Sequence, residues 1–562
     1  MTFNPIFVKT ALYATAVCGL LFAVSVLCRP LFPVDETRYV TVAWEMFSSG
    51  NWILPTLNGE AYHHKPPVLF WMIMSLWSVF GVSQTVPMVI PYLAGFAVLL
   101  LTARLATRLF PHNPKAPFVA ALLLGGSLPF VVYTNLIMFD TLLTVSSLIG
   151  ITALWDFLTT RHNKHLLLLV LAIGFGALIK GPVILLQVLP VALFAPFWLP
   201  NGERPPLAPT ILKILAAILL GAGIGLLWAI PAAMEGGKEF ADKIFWGQTA
   251  GRVVNAFDHK HPFYWYMTFI PLFFLPWAFA PAFWRGVKEV VRERVQPIKF
   301  IITWAVPVFI AFSAISGKQV HYLLPLAPAI ALFTTAIFLK TGETLEKWDV
   351  RALAIGGTFL TLFPHLVHLV TEIFEESYAE SAHLDNMFED TNPYFSIISA
   401  IMMLLAMVIW SRRDKIKTII VMAVFTVLMM CSFELSVRNS YFKYYDLTPI
   451  AEAIKPLESR PMAFAGNYAG EFGFLARRTR PIEEIKREEA RSWLDSHPNG
   501  VVVLFDRVKN AENYQKYHTI AQMPFRMTNI YMVLENKGVG EPTNQPSAGG
   551  DNSTPPPHVA PQ

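Results

Sequence analysis

Apolar runs of about 20 residues recur along the chain from Phe7 to about Cys431, with short polar interruptions between them. A helix of that length crosses the hydrocarbon core of a bilayer, since each residue rises about 1.5 Å against a thickness of about 30 Å. The first run ends near Leu27, and no convincing small-residue cleavage site follows Cys28, Arg29 and Pro30, so an uncleaved first helix is expected. Further runs centre on 86–104, 117–133, 138–157, 165–179, 181–198, 209–231, 262–284, 298–315, 320–339, 351–371, 394–411 and 416–435, which predicts thirteen spans with the termini on opposite sides. A β-barrel and a single anchor are both excluded by this pattern. The expected fold is a polytopic all-α membrane protein.

Alternate connections carry the clustered cations: Arg104, Arg108 and Lys115; Arg161 and Lys164; Arg285, Lys288, Arg292, Arg294 and Lys299; Arg412, Arg413, Lys415 and Lys417. The positive-inside rule makes those faces cytoplasmic. The opposite, outer face then receives the long loops 31–85 and 232–261 and the acidic stretch from Glu372 to Asp390. Within the first of them, Pro67 to Gly81 reads as an amphipathic stretch whose Trp71 and Trp77 suit the aromatic belt at a membrane surface. After about Ser436 the apolar runs shorten and charges become common. Val501–Phe505 and Asn529–Leu534 read as buried strands and Glu483 to Asp495 as a helix. The domain expectation is therefore a transmembrane part over 1–435, a small outer α/β domain over 436–537, and a disordered Pro, Gly, Ser and Asn-rich tail over 538–562. No internal repeat supports an inverted-repeat transporter.

Composition agrees with the pattern: of 562 residues, 54% are hydrophobic and 15% charged, which excludes a soluble enzyme of two or three domains. The three cysteines, Cys18, Cys28 and Cys431, sit in or beside apolar runs without paired spacing, which excludes a disulfide framework or a cysteine metal site. A net charge of +5 spread over loops, with no basic and aromatic domain, gives no reason to expect nucleic acid as a partner.

Polar groups at membrane depth are costly, and here they gather on the outer side. The first loop opens with Asp35, Glu36, Arg38 and Tyr39 and later reads Tyr62, His63, His64 and Lys65 before two prolines. Asp140 sits at the outer end of the fourth span, with no cation near it in sequence. The second long loop brings Arg252, Asn255, Asp258, His259, Lys260 and His261, and a third outer turn brings Lys318, Gln319, His321 and Tyr322. Taken alone, Asp35 and Glu36 could simply open a helix and Asp140 could cap one. Together these residue types suit a lipid-linked phosphate at the bilayer surface. Arg38, Lys65, Lys318 and either Arg252 or Lys260 would meet the phosphate, and Asp35 or Asp140 would take the proton of an incoming hydroxyl. His64 with His259 or His261 could hold a divalent metal, although the spacing matches no known motif and ordinary interfacial histidines read equally well.

The run from Asp35 to Tyr39, followed by Ser49–Pro55, Gly59 and Tyr62–Pro67, resembles the first outer loop of the lipid A aminoarabinose transferases. These belong to the superfamily of polyprenyl-phosphate-sugar-dependent glycosyltransferases that includes protein O-mannosyltransferases. Lys180 with Gly181, Phe245 with Trp246, the His259–Tyr266 segment and the Lys318–Pro325 turn are also similar. The resemblance implies an inverting transfer of a sugar, such as 4-amino-4-deoxy-L-arabinose, from an undecaprenyl-phosphate carrier to lipid A or another envelope glycolipid. It further implies a multi-pass protein of the bacterial inner membrane with its active site facing the periplasm, and a monomer is expected. Carried over residue by residue, Asp35 and Asp140 match the acidic residues of the site, Lys65 and Arg38 the cations that meet the carrier phosphate, and Tyr62 and Tyr322 tyrosines of that cavity. His259 matches a histidine ligand of zinc, while His64 stands where the family has glutamate. Protein glycosylation by the same architecture is the nearest alternative. A transporter or flippase fits less well, because its charges would cross the bilayer rather than gather at one surface.

Overall fold

The computed structural model describes residues 5–245, 260–293, 295–341, 344–373, 391–407, 414–526 and 528–537. Seven helical segments among them are long and apolar enough to cross a membrane: Pro5–Cys28, Thr85–Leu109, Phe139–Thr160, Leu207–Phe245, Gln296–Ala314, Val320–Lys340 and Lys415–Val437. The chain is thus a multi-pass helical membrane protein. Each of the seven lies on an expected span. The other six expected spans are shorter, broken or less uniformly apolar. Residues 117–133 form two helices, Ala116–Gly125 and Leu128–Tyr133, because Ser127 between them is extended and Pro129 starts the second. Residues 262–284 do not form one helix. Pro271, Pro276 and Pro281 each remove a backbone donor, and the chain breaks into Phe263–Phe269, Ile270–Phe273 and Trp277–Phe279 before the amphipathic helix Pro281–Glu293.

Phe139–Thr160 runs through the middle of the bundle, with 89% of its span buried. It packs against Lys164–Lys180, Thr85–Leu109 and Val183–Leu193. Lys164–Lys180 in turn lies against Leu207–Asp242. Glycines allow that approach: a Cβ at Gly174 would sit 2.7 Å from Ile224, and one at Gly221 2.7 Å from Ile173. Leu207–Asp242 continues well past residue 231, so the second long loop begins as helix, kinked at Gly237 (φ 77°). Its residues 246–259 lie outside the described residues, as does most of the acidic stretch 372–390 and the whole of 538–562.

The first long loop, over 31–85, lies wholly within the described residues. Helix Asp35–Ser49 is followed by a two-stranded hairpin, β1 (Thr56–Leu57) and β2 (Glu60–Ala61), and by helix Val68–Phe80. The expected aromatic belt is corrected at Trp77, which is fully buried with its ring stacked on Phe474 at 5.1 Å, while the half-buried Trp71 donates from Nε1 to the Trp52 carbonyl at 2.6 Å.

Residues 462–535 build a five-stranded sheet from β3 (Met462–Ala465), β4 (Glu483–Ile485), β5 (Val501–Arg507), β6 (His518–Phe525) and β7 (Asn529–Glu535), in the order β4-β3-β5-β7-β6. Strand β3 is parallel to β4 and β5, while β7 is antiparallel to β5 and β6. Alternation sends Phe464, Val501, Val503, Tyr531 and Val533 to one face with Phe472 and Ile450, and Ala463, Val502, Leu504, Met532 and Leu534 to the other with Trp493. The segment expected as a helix over 483–495 is instead a short strand, a turn of 3-10 helix at Arg487–Glu489, and a helix over Ala490–Ser496.

Candidate active site

Asp35 and Glu36 occupy the first turn of Asp35–Ser49, where negative charge complements the exposed backbone N–H groups. Their side chains part company at once. Glu36 turns inward and is buried, pairing with the Arg29 guanidinium at 2.5 and 3.1 Å. It also accepts the backbone N–H of Phe32 at 2.7 Å and of Ile137 at 2.6 Å. Arg29 further donates to the Asn135 carbonyl, and the Asn135 side chain donates to Glu434 at 3.0 Å. Asp35 stays 42% exposed, with the Tyr39 hydroxyl 3.4 Å and the Arg38 guanidinium 3.7 Å from Oδ1. The reading of the pair as mere helix-opening acids therefore describes Glu36 better than Asp35.

Asp140 is the second residue of helix Phe139–Thr160, with Met138 at the cap position and no side-chain capping bond, so it is not the N-cap. It is buried. Lys180, the last residue of Lys164–Lys180, places Nζ 2.6 Å from Asp140 Oδ1, and His321 Nε2 lies 3.8 Å from Oδ2. The antiparallel helices put an acid at one N-terminus and a base at the neighbouring C-terminus, so both charges also suit the helix dipoles. Lys180 Nζ lies 4.3 Å over the Tyr322 ring. Lys65 Nζ lies 5.6 Å over the Phe139 ring, against whose edge Tyr39 and Phe70 also pack at 5.0 and 5.7 Å. Tyr62 is buried and stacks on the exposed His64 ring at 5.2 Å.

Phe139 is thus the hub that gathers Tyr39, Lys65 and, through its neighbour Asp140, the Lys180, His321 and Tyr322 group. Near the opposite end of the same helix Asp156 pairs with Arg108 at 2.6 Å. Beside the group, Leu178 on the Lys180 helix joins Ile53, Trp71, Ile224, Leu227, Trp228 and Pro231 around an open apolar cleft of about 290 Å³.

Lys318 differs from its expected role as a phosphate cation. It is buried, and its ammonium donates to the backbone carbonyls of His261, at 2.9 Å, and Ile315, while burial holds its pKa below the ordinary lysine value. It braces the turn that carries His321 and Tyr322. His259 and Arg252 lie outside the described residues, so of the expected pair of metal ligands only His64 is placed. Among the described residues no group of three His, Cys, Asp or Glu side chains converges.

Sequence reasoning assigned no role to Lys180, His321 or Tyr39. A lysine ending an apolar helix was the available clue for Lys180, since such a charge needs a partner. Nothing local distinguishes Glu36 from Asp35, because the distinction is made by Arg29 and Ile137 from other segments.

Residues 64–228 match the family described as dolichyl-phosphate-mannose-protein mannosyltransferase. The chain is 29% identical over 345 residues to undecaprenyl phosphate-alpha-4-amino-4-deoxy-L-arabinose arabinosyl transferase 2 of Pseudomonas fluorescens Pf-5, covering 59% of this chain and 57% of that one. It is 27% identical over 432 residues to transferase 1 of Pseudomonas fluorescens Pf0-1, covering 72% of each. The chain therefore spans less than two thirds of the first of these relatives. Among solved structures, ArnT from Cupriavidus metallidurans bound to undecaprenyl phosphate superposes with a TM-score of 0.73 at 17% identity, over 95% of this chain and 99% of that one. At that identity the likeness is one of fold.

Proposed function

We propose that this chain is a member of the lipid A aminoarabinose transferase family, within the superfamily of polyprenyl-phosphate-sugar-dependent glycosyltransferases that includes protein O-mannosyltransferases, and that it transfers a sugar from an undecaprenyl-phosphate carrier to lipid A or a related envelope glycolipid. The relatives' names supply the candidate sugar, 4-amino-4-deoxy-L-arabinose. The observation that carries the reading is the gathering of cations and carboxylates at one end of the bundle, Arg38 with Asp35, Lys180 with Asp140 and Lys65 over the Phe139 ring, beside an apolar cleft. The cleft suits a prenyl chain, and the charges suit its phosphate.

In this mechanism Arg38 and Lys65 hold the carrier phosphate and neutralise the charge that develops as it leaves. Asp35, the exposed carboxylate, accepts the proton of the acceptor hydroxyl. The hydroxyl oxygen bonds to the anomeric carbon while the carbon–oxygen bond to phosphate breaks, its electron pair passing to the phosphate. An in-line displacement inverts that carbon. Asp140 acts differently, because its carboxylate is committed to Lys180 and fixes the ammonium over Tyr322 at the edge of the phosphate site.

The same reading places the site on the periplasmic face of the inner membrane, with thirteen crossings that include the broken segments, an outer domain over 436–537 and a tail over 538–562. Mass spectrometry of lipid A tests the function. A Gram-negative host lacking its own modifying transferases, but supplied with the carrier-linked aminosugar, should gain a mass increment with this protein and none with Asp35→Asn. No increment with active donor present would shift the acceptor to protein, in line with the match of residues 64–228.

A further inference from the structure

The C-terminal sheet reaches the site at the β6–β7 turn, where Arg526 donates to the Pro33 carbonyl at 3.3 Å, and more extensively through the loop Tyr468 to Ile482, whose contact follows a regular pattern. Arg38, Thr41 and Trp44 lie three residues apart on one face of helix Asp35–Ser49. Each donates a hydrogen bond to a loop carbonyl: Arg38 Nε to Ala469 at 3.2 Å, Thr41 Oγ1 to Gly470 at 2.8 Å, and Trp44 Nε1 to Arg478 at 2.8 Å. Thr41 is also an acceptor, receiving the Phe474 N–H at 3.0 Å, so its hydroxyl serves the loop twice. The loop is held in turn by Glu471, 5% exposed, which accepts the Ala469 N–H at 2.7 Å.

The fit leaves no room for slack. Gly470 has φ +88°, and a Cβ there would lie 2.8 Å from Leu57 and 3.1 Å from the Arg38 Cα. A Cβ on Gly473 would run into the Thr41 side chain. The guanidinium of Arg38 is therefore set between Asp35 on its own helix and the Ala469 carbonyl of the loop.

We propose that the loop Tyr468–Phe474 is a working part of the donor site, with Thr41 as the positioning residue that fixes Arg38 for the carrier phosphate. This rests on the reading of Arg38 given above. The C-terminal unit then orients one of the two cations assigned to the leaving group.

The test uses the full-length protein in nanodiscs, with undecaprenyl phosphate as the probe, and compares Thr41→Val with Thr41→Ser. Valine keeps the shape but leaves the Gly470 carbonyl and Phe474 N–H without their partner, so binding of undecaprenyl phosphate should weaken by about tenfold. The donor KM should rise in parallel while kcat stays near its original value. Serine keeps the hydroxyl and should restore both. Unchanged binding by Thr41→Val, with only a lower unfolding temperature, would overturn the proposal. If Thr41→Val is not recovered folded, Gly470→Ala asks the same question from the loop side, and unaltered binding there would overturn it equally. A wild-type protein that binds no undecaprenyl phosphate would remove the functional reading and this inference with it.

Discussion

The Glu36 carboxylate accepts the Ile137 backbone N–H at 2.6 Å, so the segment leading into helix Phe139–Thr160 hangs from the first turn of helix Asp35–Ser49. Arg29 closes the same junction by reaching both Glu36 and the Asn135 carbonyl. The helix starts that carry Asp35 and Asp140 are therefore tied together by a third carboxylate, Glu36.

Neighbouring acids with such different surroundings should respond differently to the same change. Glu36→Gln leaves the buried Arg29 charge uncompensated, which costs about 3–5 kcal/mol when one partner of a buried pair is removed. Thermal unfolding in detergent should show a clear drop in midpoint. Asp35→Asn should leave the midpoint near that of the wild type while abolishing transfer, because the change keeps size and removes only charge and basicity. Equal stability of Glu36→Gln and wild type would contradict the structural role given to Glu36.

The membrane character and the gathering of charged residues in the loop over 31–85 are legible in the chain because each depends on local composition. Lys65, Arg38 and Asp35 all stand in that one loop. What was not legible depends on segments far apart. Lys180 finds Asp140 only because two helices run antiparallel, and Trp77 leaves the expected aromatic belt because Phe474, nearly four hundred residues later, covers it. Glu483 and Glu484 lie on the edge strand β4, where charge is tolerated and even useful, although the same residues favour a helix when read alone.

The stacking of Trp77 on Phe474 is the apolar fastening between the first loop and the sheet. Phe474 is fully buried and also lies under the Arg477 guanidinium at 3.8 Å. Phe474→Ala should cost about 3–5 kcal/mol of that local packing. Limited proteolysis should then cut in the region joining the last membrane helix to the sheet, and a protected fragment should retain the helical bundle. A cleavage pattern identical to that of the wild type would show that the polar contacts suffice, those of Thr41 and those of Asn58, whose side chain donates to the Ile482 carbonyl at 2.8 Å and accepts its N–H at 2.7 Å.

Burial raises the pKa of Glu471 above the ordinary glutamate value, against the opposing pull of backbone N–H groups and Arg38. The fold therefore favours the protonated form more than the unfolded chain does. Its contribution is fully present below the unfolded pKa and is lost as pH rises through the higher folded value. Glu471→Gln, which cannot ionise and keeps an acceptor for the Ala469 N–H, should gain stability relative to the wild type with increasing pH. Unfolding midpoints of both proteins across that range check the sign, and a constant difference would show that Glu471 titrates alike in both states.

Lys180 and Asp140 allow structure and chemistry to be separated, because the pair is buried and each partner neutralises the other at 2.6 Å. Lys180→Met should destabilise the protein by about 3–5 kcal/mol by stranding the carboxylate, and Asp140→Leu by a similar amount by stranding the ammonium. Combining them removes both charges and fills the space with apolar atoms, so the double variant should recover much of that loss, with a coupling energy outside the range of additive behaviour. If Lys180 serves the carrier phosphate, activity will not return with stability, and the donor KM of any residual activity will stay high. A stable double variant with full transfer would make the pair a structural strut and leave the phosphate to Arg38 and Lys65 alone.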